Sequence, residues 1–209
     1  MIELDGVSYG YQEGETVLDG VTVRLDTGLT LLVGPNGCGK STLMKLAAGI
    51  ERPDAGRILV DGRDLWIDEV EARRSLAFVP EQPDLTPYGT VEEILELVGL
   101  GHLGNRSVRE LSMGQRRRAT LAAALLGAPR HILLDEPLEA MDRGARELIL
   151  TWIDRLVEAG ASVVVVSHDL EPFAPRAHRA LTLRGGKPVS AGLPENTEER
   201  LEVLERLAR

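Results

Sequence analysis

The sequence contains a single cysteine, few aromatic residues and no long apolar run. Cys38 stands alone among 209 residues, which excludes an internal disulfide and a thiolate metal cage and fits a reducing compartment. No stretch reaches the ~18 apolar residues of a membrane-spanning helix, and the N-terminus lacks the basic and apolar segments of a signal peptide. We therefore expect a soluble chain that reaches a membrane only through a partner.

Charge and aromatic content exclude some partners as well. The formal net charge of -9 at pH 7 disfavours a surface that attracts nucleic acid or an anionic bilayer by charge alone. Aromatic residues make up only 3% of the chain, so basic clusters lack interleaved stacking side chains, and we expect no nucleic-acid partner. The hydrophobic content of 43% is enough for one sizeable core.

Two kinds of strand pattern predict an α/β fold with two sheets. Near-continuous apolar runs predict strands buried on both faces of a mostly parallel sheet, at residues 29–33, 76–79, 131–134 and 162–166. Helical patterns follow Gly39, Gln115 and Asp142. Alternating segments joined by Gly/Asp turns predict an antiparallel sheet beside the first, at residues 2–11, 21–25 and 57–60.

We predict a single domain over residues 1–209. Residues 1–82 and 128–209 form its core with the antiparallel β subdomain, and residues 83–127, rich in helix formers, form a short helical subdomain. Near the C-terminus, Asn196 can cap a helix that has Glu199 at its third position. The leucines 201, 204 and 207 then share one face, which we expect to dock onto the chain's own domain.

The segment "GPNGCGKST", residues 34–42, has the context of a phosphate-binding P-loop between a predicted strand and a predicted helix. Its glycines allow a tight turn whose N–H groups point at phosphate oxygens, Lys40 reaches the β- and γ-phosphates, and the Ser41 hydroxyl binds Mg²⁺. The plain alternative is a glycine-rich strand-to-helix turn. The predicted nucleotide-binding residues are Gly34, Pro35, Asn36, Gly37, Cys38, Gly39, Lys40, Ser41 and Thr42.

The segment "HILLDEP" places two acidic residues, Asp135 and Glu136, at the carboxyl end of a predicted buried strand. Ligands bind at this edge of open α/β sheets. Asp135 suits a magnesium ligand, directly or through water, and Glu136 could orient or deprotonate an attacking water. The alternative is a pair of carboxylates in a solvated loop.

Further motifs decide between classes of P-loop protein. The base-reading motif Asn-Lys-x-Asp of GTPases is absent, because no asparagine is followed by lysine. The motifs "FVPEQ", "LSMGQRRR", "HILLDEP", "LEAMD" and "VVVVSHD" follow the P-loop in that order. In this order and content the chain resembles the ATP-binding subunits of ABC transporters over nearly its whole length. The resemblance implies a P-loop NTPase with a RecA-like core that hydrolyses ATP with Mg²⁺.

The resemblance also implies roles for single residues. Tyr11 would stack on adenine, with Tyr9 the less favoured choice, and Gln82 would contact Mg²⁺ and the attacking water and sense the transport partner. His168 would hydrogen-bond the γ-phosphate, and Asp142 would act across a dimer interface. Together with Glu136, His168 and Gln82 form the predicted catalytic set, and Ser41, Gln82 and Asp135 form the predicted metal set.

The motif "LSMGQ", residues 111–115 and here called the signature motif, would close over the ATP of a second subunit. Its predicted contact residues are Ser112, Met113, Gly114 and Gln115. The resemblance thus implies a head-to-tail homodimer or a heterodimer with a related ATPase subunit. It also implies a transmembrane permease subunit that holds the dimer at the inner face of the cell membrane. For the arginines 116–118 we weigh a positive potential near the phosphates against solvated or acid-paired side chains, and expect the latter for at least two.

Three departures from the family pattern stand out. Met113 occupies the place of a usual glycine, Met141 that of a usual leucine, and the stretch between Gln82 and Leu111 is shorter than is common. The short stretch weakens any inference about partner type, although it excludes a long inserted coiled coil. A soluble ABC ATPase that acts on ribosomes, DNA or an assembly scaffold is therefore the alternative to a transporter subunit. Another P-loop NTPase or kinase is a second alternative.

Overall fold

In the computed structural model of the protein, the residues described are 1–12, 14–81, 111–124 and 129–209. Gln82 and most of the predicted helical subdomain, residues 83–127, lie outside these ranges, so the predicted division of the domain stays a prediction. The described strands are β1 (Ile2–Tyr9), β2 (Leu18–Leu25), β3 (Gly28–Val33), β4 (Ala55–Val60), β5 (Arg63–Asp64), β6 (Leu76–Val79), β7 (His131–Asp135), β8 (Ser162–Val166), β9 (Arg179–Arg184) and β10 (Lys187–Ala191). The described helices are α1 (Lys40–Ala47), α2 (Glu69–Arg73), α3 (Met113–Ala124), α4 (Arg143–Glu158) and α5 (Thr197–Ala208).

The larger sheet has six strands in the order β10-β9-β3-β8-β7-β6. The pairs β9/β3, β3/β8, β8/β7 and β7/β6 are parallel, and β10 adds an antiparallel edge. Every residue of β3, β7 and β8 is buried, which explains why these strands are apolar without alternation. The mostly parallel sheet predicted from those runs is therefore present.

The smaller sheet is antiparallel, in the order β2-β1-β4-β5, as the alternating segments predicted. The first predicted strand was expected to extend to residue 11 but ends at Tyr9, because the Gly10 N–H donates to the Asp54 carboxylate rather than to a strand. This early end leaves Tyr11 outside the sheet.

Two apolar cores lie on opposite faces of the parallel sheet, because successive residues of a strand point to opposite sides. Leu31 and Val165 belong to a core that includes residues of α3, α4 and α5. Leu32 and Val164 belong to a second core, formed with α1 and the inner face of the antiparallel sheet. Within the described ranges, no helix has the length and apolarity that crossing a bilayer requires.

The C-terminal helix α5 is capped as predicted. The Asn196 side-chain oxygen accepts from the backbone N–H groups of Glu198 and Glu199, at 2.8 and 3.4 Å. Leu204 and Leu207 are buried against the first core, with Leu201 packed at its margin. The predicted docking onto the chain's own domain is therefore present.

A buried histidine begins β7. The His131 side chain is 4% exposed, and its Nε2 lies 2.9 Å from the Asp61 carboxylate. Burial lowers the pKa of His131 below its ordinary value, although the hydrogen bond to Asp61 opposes this change. The folded chain therefore keeps this imidazole neutral at a pH where the unfolded chain protonates it.

We predict that this histidine makes the fold acid-sensitive. His131 has a pKa of about 6.5 in the unfolded chain. As the pH falls below this value, the unfolded chain binds a proton at His131 while the folded chain does not, so the free energy of unfolding decreases. Urea unfolding at pH 7.5 and 5.5 should show a smaller decrease for His131→Gln than for the parent. The other histidines contribute to both proteins equally, so equal decreases would contradict the prediction.

Candidate functional site

A cavity of about 400 Å³ opens at the carboxyl edge of the parallel sheet. It lies where the loop after β3, the end of β7 and the end of β8 meet. Its lining includes most of the residues predicted to bind phosphate, metal and water: Asn36, Gly37, Lys40, Ser41, Asp135, Glu136 and His168. The parallel pairing of the strands thus brings together motifs that are far apart in the sequence.

The phosphate-binding loop connects β3 to α1 through a backbone that only glycine adopts easily. Gly34 and Gly39 have φ angles of 144° and 105°. A Cβ at Gly34 would lie 2.9 Å from the Thr182 hydroxyl oxygen and 3.0 Å from the Cys38 Sγ. A side chain is therefore excluded there by both backbone and packing, and the N-terminus of α1 faces the loop.

Lys40 is buried inside this loop. Its ammonium group donates to the backbone carbonyls of Gly34 and Pro35, at 2.8 and 3.0 Å. The side chain of a lysine is rarely buried without a charged partner. An ammonium held by two neutral carbonyls is suited to exchange them for phosphate oxygens, which are stronger acceptors.

Asp135 is the last residue of β7, and its side chain accepts a hydrogen bond from Ser41. The residue is 6% exposed. Burial raises the pKa of Asp135, while Ser41, Arg117 and Lys40 oppose the rise. Two of the three side chains predicted to hold Mg²⁺, Ser41 and Asp135, therefore meet at a partly desolvated position.

Glu136 is held in an uncommon backbone conformation with φ +50°. Its N–H donates to the Val166 carbonyl at 2.9 Å, and its Oε2 accepts from the Ser167 hydroxyl at 3.3 Å. Its Oε1 lies 3.7 Å from His168 Nε2 and has no hydrogen-bond partner among the described residues, although it is buried. Burial raises the pKa of Glu136, and this orphaned oxygen is suited to accept from a bound water.

The two candidate tyrosines differ in environment. Tyr11 is 51% exposed, and its hydroxyl lies 3.1 Å from the Thr42 hydroxyl of the phosphate-binding loop. Tyr9 is buried, donates to Glu51 at 3.0 Å, and has its pKa raised to about 12, first by burial. An exposed ring can offer its face to a base, which agrees with the preference for Tyr11.

The signature motif begins helix α3. The Ser112 N–H donates to the Gln115 side chain at 2.9 Å, and the Gln115 N–H donates to the Ser112 hydroxyl at 3.3 Å, which forms a capping box. Met113 is 72% exposed. A Cβ at Gly114 would lie only 2.7 Å from the Ala140 carbonyl oxygen, so this glycine permits close packing within the chain.

Asp142 also has a structural role, which was not predicted from the sequence. Its Oδ1 accepts from the Ala145 N–H at 2.8 Å and caps the start of α4. The residue remains exposed, which leaves its predicted action across an interface open. An aspartate directly before an amphipathic helical pattern is the signal that could have revealed the cap.

Two further residues at the site were not predicted from the sequence. Ser167 links Glu136 to the segment after β8, because its hydroxyl also accepts from the Asp169 N–H at 3.2 Å. At least two of the three arginines were expected to be either solvated or acid-paired. Arg117 is acid-paired, because its Nη1 lies 3.4 Å from the Glu139 carboxylate, but it is only 3% exposed, and this burial was not expected. It donates to the Asp135 and Glu81 carbonyls at 2.6 and 2.7 Å, so its principal partners are neutral.

The fold and the site define a P-loop nucleotide-binding protein. The family described as "ABC transporter" matches residues 18–139. Relatives include the molybdenum import ATP-binding protein ModC of Rhodopseudomonas palustris (strain HaA2), 36% identical over 79% of this chain and 51% of its own length. The sulfate/thiosulfate import ATP-binding protein CysA of Synechococcus elongatus is 37% identical over 92% of this chain and 62% of its own.

Comparison with solved structures supports the same family. The dimeric structure of MJ0796, a bacterial ABC transporter cassette, has a TM-score of 0.83 and 28% identity, covering 93% of this chain and 99% of the other. The chain belongs to the ABC transporter family of ATP-binding proteins, so the predicted family and α/β P-loop fold are confirmed. It spans only 51% and 62% of the length of the ModC and CysA relatives.

The single cysteine allows a test of the nucleotide site. Cys38 is half-buried within the phosphate-binding loop, so a bulky group on its Sγ should displace a phosphate. We predict that N-ethylmaleimide abolishes ATP binding, that prior ATP protects the thiol, and that Cys38→Ala is insensitive to the reagent. Labelling is followed by mass spectrometry and affinity by equilibrium dialysis. Unchanged affinity after complete labelling would contradict the prediction.

Proposed function

We propose that this chain binds and hydrolyses ATP with Mg²⁺ and powers a membrane transporter through ATP-driven head-to-tail dimerisation. The observation that carries the proposal is the meeting of Lys40, Ser41, Asp135 and Glu136 around one cavity at the end of the parallel sheet. Each of these residues supplies a different requirement of phosphoryl transfer to water.

The nucleotide would lie along the phosphate-binding loop. Backbone N–H groups of residues 34–42 and the start of α1 would bind the phosphates, with Lys40 on the β- and γ-phosphates. Adenine would stack on the exposed ring of Tyr11, a contact that contributes about 1–3 kcal/mol in other stacked bases. The hydrogen bond between Tyr11 and Thr42 supports this placement, because it joins the ring to the loop.

The donor set at the end of β7 fits Mg²⁺. Ser41 and Asp135 offer a hydroxyl and a carboxylate, the hard oxygen groups that this ion prefers, and they already share a hydrogen bond. We propose that they hold the ion, with Gln82 as the third predicted ligand. Bound Mg²⁺ would neutralise part of the phosphate charge.

Glu136 is proposed to prepare the attacking water. Glu136 lines the cavity, and its buried Oε1 lacks a hydrogen-bond partner among the described residues and lies 3.7 Å from His168 Nε2. Burial that raises the pKa of Glu136 makes it a stronger base, provided that it remains ionised. His168 is proposed to donate to the γ-phosphate, since 66% of its side chain is exposed beside the cavity.

A second subunit would complete the site. Ser112 and Gln115 cap the exposed start of α3, where the backbone N–H groups of Met113 and Gly114 can meet an anion. We propose that this surface closes over ATP held by the partner, with Asp142 at the interface. The dimeric cassette of MJ0796, which covers 93% of this chain, supports the arrangement. Both a homodimer and a heterodimer with a related ATPase subunit are compatible with it.

The transport role rests on the relatives. The names of three relatives refer to different substrates: molybdenum for ModC, sulfate or thiosulfate for CysA, and putrescine for PotG of Escherichia coli (strain K12). We therefore propose that a transmembrane permease subunit selects the substrate and holds this chain at the inner face of the cell membrane. The alternative, a soluble ABC ATPase that acts on ribosomes, DNA or a scaffold, shares the same ATP site.

The role of Glu136 is tested by Glu136→Gln. The amide keeps the shape but cannot accept a proton, so we expect hydrolysis to fall about 10²–10⁴-fold while ATP still binds. The ATP-bound variant should accumulate as a dimer. Phosphate release and light scattering with ATP measure both effects. Glu158→Gln, which removes a charge at the exposed end of α4, is the matched control. A Glu136→Gln variant that is monomeric in ATP, or that hydrolyses at the parental rate, would refute the assignment.

The transport partner is tested by tagging the chain in its native cell and solubilising membranes in mild detergent. We expect a multi-span membrane protein to co-purify and to stimulate the ATPase activity, since this chain's described helices do not span a bilayer. Mass spectrometry identifies the partner. Recovery only from the soluble fraction, together with ribosomes, DNA or scaffold proteins, would favour the alternative.

A further inference from the structure

Arg117 connects three segments of the chain. From helix α3 it donates to the backbone carbonyl of Asp135 at 2.6 Å and to that of Glu81 at 2.7 Å. Its Nη1 also lies 3.4 Å from the Glu139 carboxylate. Asp135 ends β7, and Glu81 follows β6. One buried guanidinium therefore joins the signature helix to the ends of two neighbouring parallel strands.

The same face of α3 makes two more contacts with the core. Gly114, Arg117 and Leu121 are spaced by three and four residues, so they lie in one row along the helix. Gly114 allows the Ala140 carbonyl oxygen to come within 2.7 Å of the place that a Cβ would occupy, and Leu121 is fully buried in the first core. Arg117 is the central and only charged member of this row.

A buried arginine needs a reason, because removing a guanidinium from water costs free energy that an apolar side chain in the same place would not. Its planar fork offers donors on separate nitrogens at a fixed separation and direction, which the single nitrogen of lysine does not provide, and an apolar residue has no donor at all. The two carbonyls belong to the residue that ends the metal-binding strand and to the residue before Gln82 in the sequence. Arg117 thus fixes the position of α3 relative to Asp135 and Glu81 and takes no part in a chemical step.

We propose that Arg117 is a positioning residue for ATP hydrolysis: its guanidinium couples the position of the signature motif to that of the Asp135–Glu136 pair of the same subunit. The proposal rests on the proposed ATPase function. In this arrangement, closure of the signature motif over a partner's nucleotide is transmitted through Arg117 to the cavity of its own subunit. Arg117 is not among the residues that line the cavity, so it acts through the segments that it contacts.

The test compares Arg117→Gln, Arg117→Lys and the parent, with Arg155→Gln as the control that removes an exposed arginine from α4. We expect Arg117→Gln to lower kcat by about 10²-fold, since small misplacements have such effects, while the Kd for ATP in EDTA changes by less than about threefold. Arg117→Lys should recover only part of kcat, because a single ammonium nitrogen lacks the two separate, fixed donors with which Nη1 and Nη2 contact the two carbonyls. The control should match the parent.

A second readout does not depend on turnover. Hydrogen exchange of the backbone amides should become faster in Arg117→Gln in two segments together, residues 113–124 and 131–141, and remain unchanged in the control. If the parent does not hydrolyse ATP, the proposed function fails, and exchange still tests the coupling. If Arg117→Gln does not fold, Arg117→Lys carries both readouts.

Three results would overturn the proposal. The first is a kcat of Arg117→Gln within about twofold of the parent, which would show that Asp135 and Glu136 are positioned without Arg117. The second is a loss of ATP affinity as large as the loss of kcat, which would indicate general damage. The third is faster exchange in the helix alone, since coupling requires that the end of β7 loosens with it.

Discussion

The functional arrangement depends on the parallel pairing of three strands. Val166 of β8 is the register partner of Leu32 on one side and of Asp135 on the other. The phosphate-binding loop and the two carboxylates are therefore at the same level of the sheet, although about a hundred residues separate them in the sequence. Because β3, β7 and β8 are buried at every position, their register is fixed by two cores at once.

This geometry creates an electrostatic problem that the site resolves with cations. Burial raises the pKa of both Asp135 and Glu136; the Glu81 carboxylate adds to the rise at Asp135, and Asp135 adds to the rise at Glu136. Lys40 and Arg117 oppose the rise at Asp135. A polyphosphate would add further negative charge to the same cavity. The proposed Mg²⁺ would reduce this repulsion, so the charges of the site support the proposal independently of the family resemblance.

Much of this could be predicted from the sequence because the relevant signals are local. Continuous apolar runs marked the buried strands, and the spacing of glycines with Lys40 and Ser41 marked the loop. Arg117 could not be predicted in the same way. It stands between two other arginines in a polar helix, and its burial depends on carbonyl groups of Asp135 and Glu81 that only the tertiary fold brings near. The one local signal for the burial of Arg117 is that its spacing places it on the same helix face as Gly114 and Leu121.

The premature end of β1 has a similar cause. The alternation of residues 2–11 fits a strand to its last residue, but a side chain 44 positions away, Asp54, takes the Gly10 N–H. The local sequence pattern gives no sign that Asp54 competes with a neighbouring strand for this N–H group. The consequence reaches the site, because the end of the strand at Tyr9 leaves the Tyr11 ring exposed near Thr42 rather than paired in a sheet.

The signature motif shows how a fold and an interface can constrain adjacent positions differently. The family pattern usually has glycine at both positions 113 and 114. In this chain only Gly114 is required by the subunit's own packing, since any side chain there would meet the Ala140 carbonyl. Met113 is 72% exposed and meets no such obstacle. A methionine at position 113 is thus compatible with the isolated subunit. In the proposed dimer, an effect of Met113 is therefore expected where α3 faces the second subunit and its nucleotide.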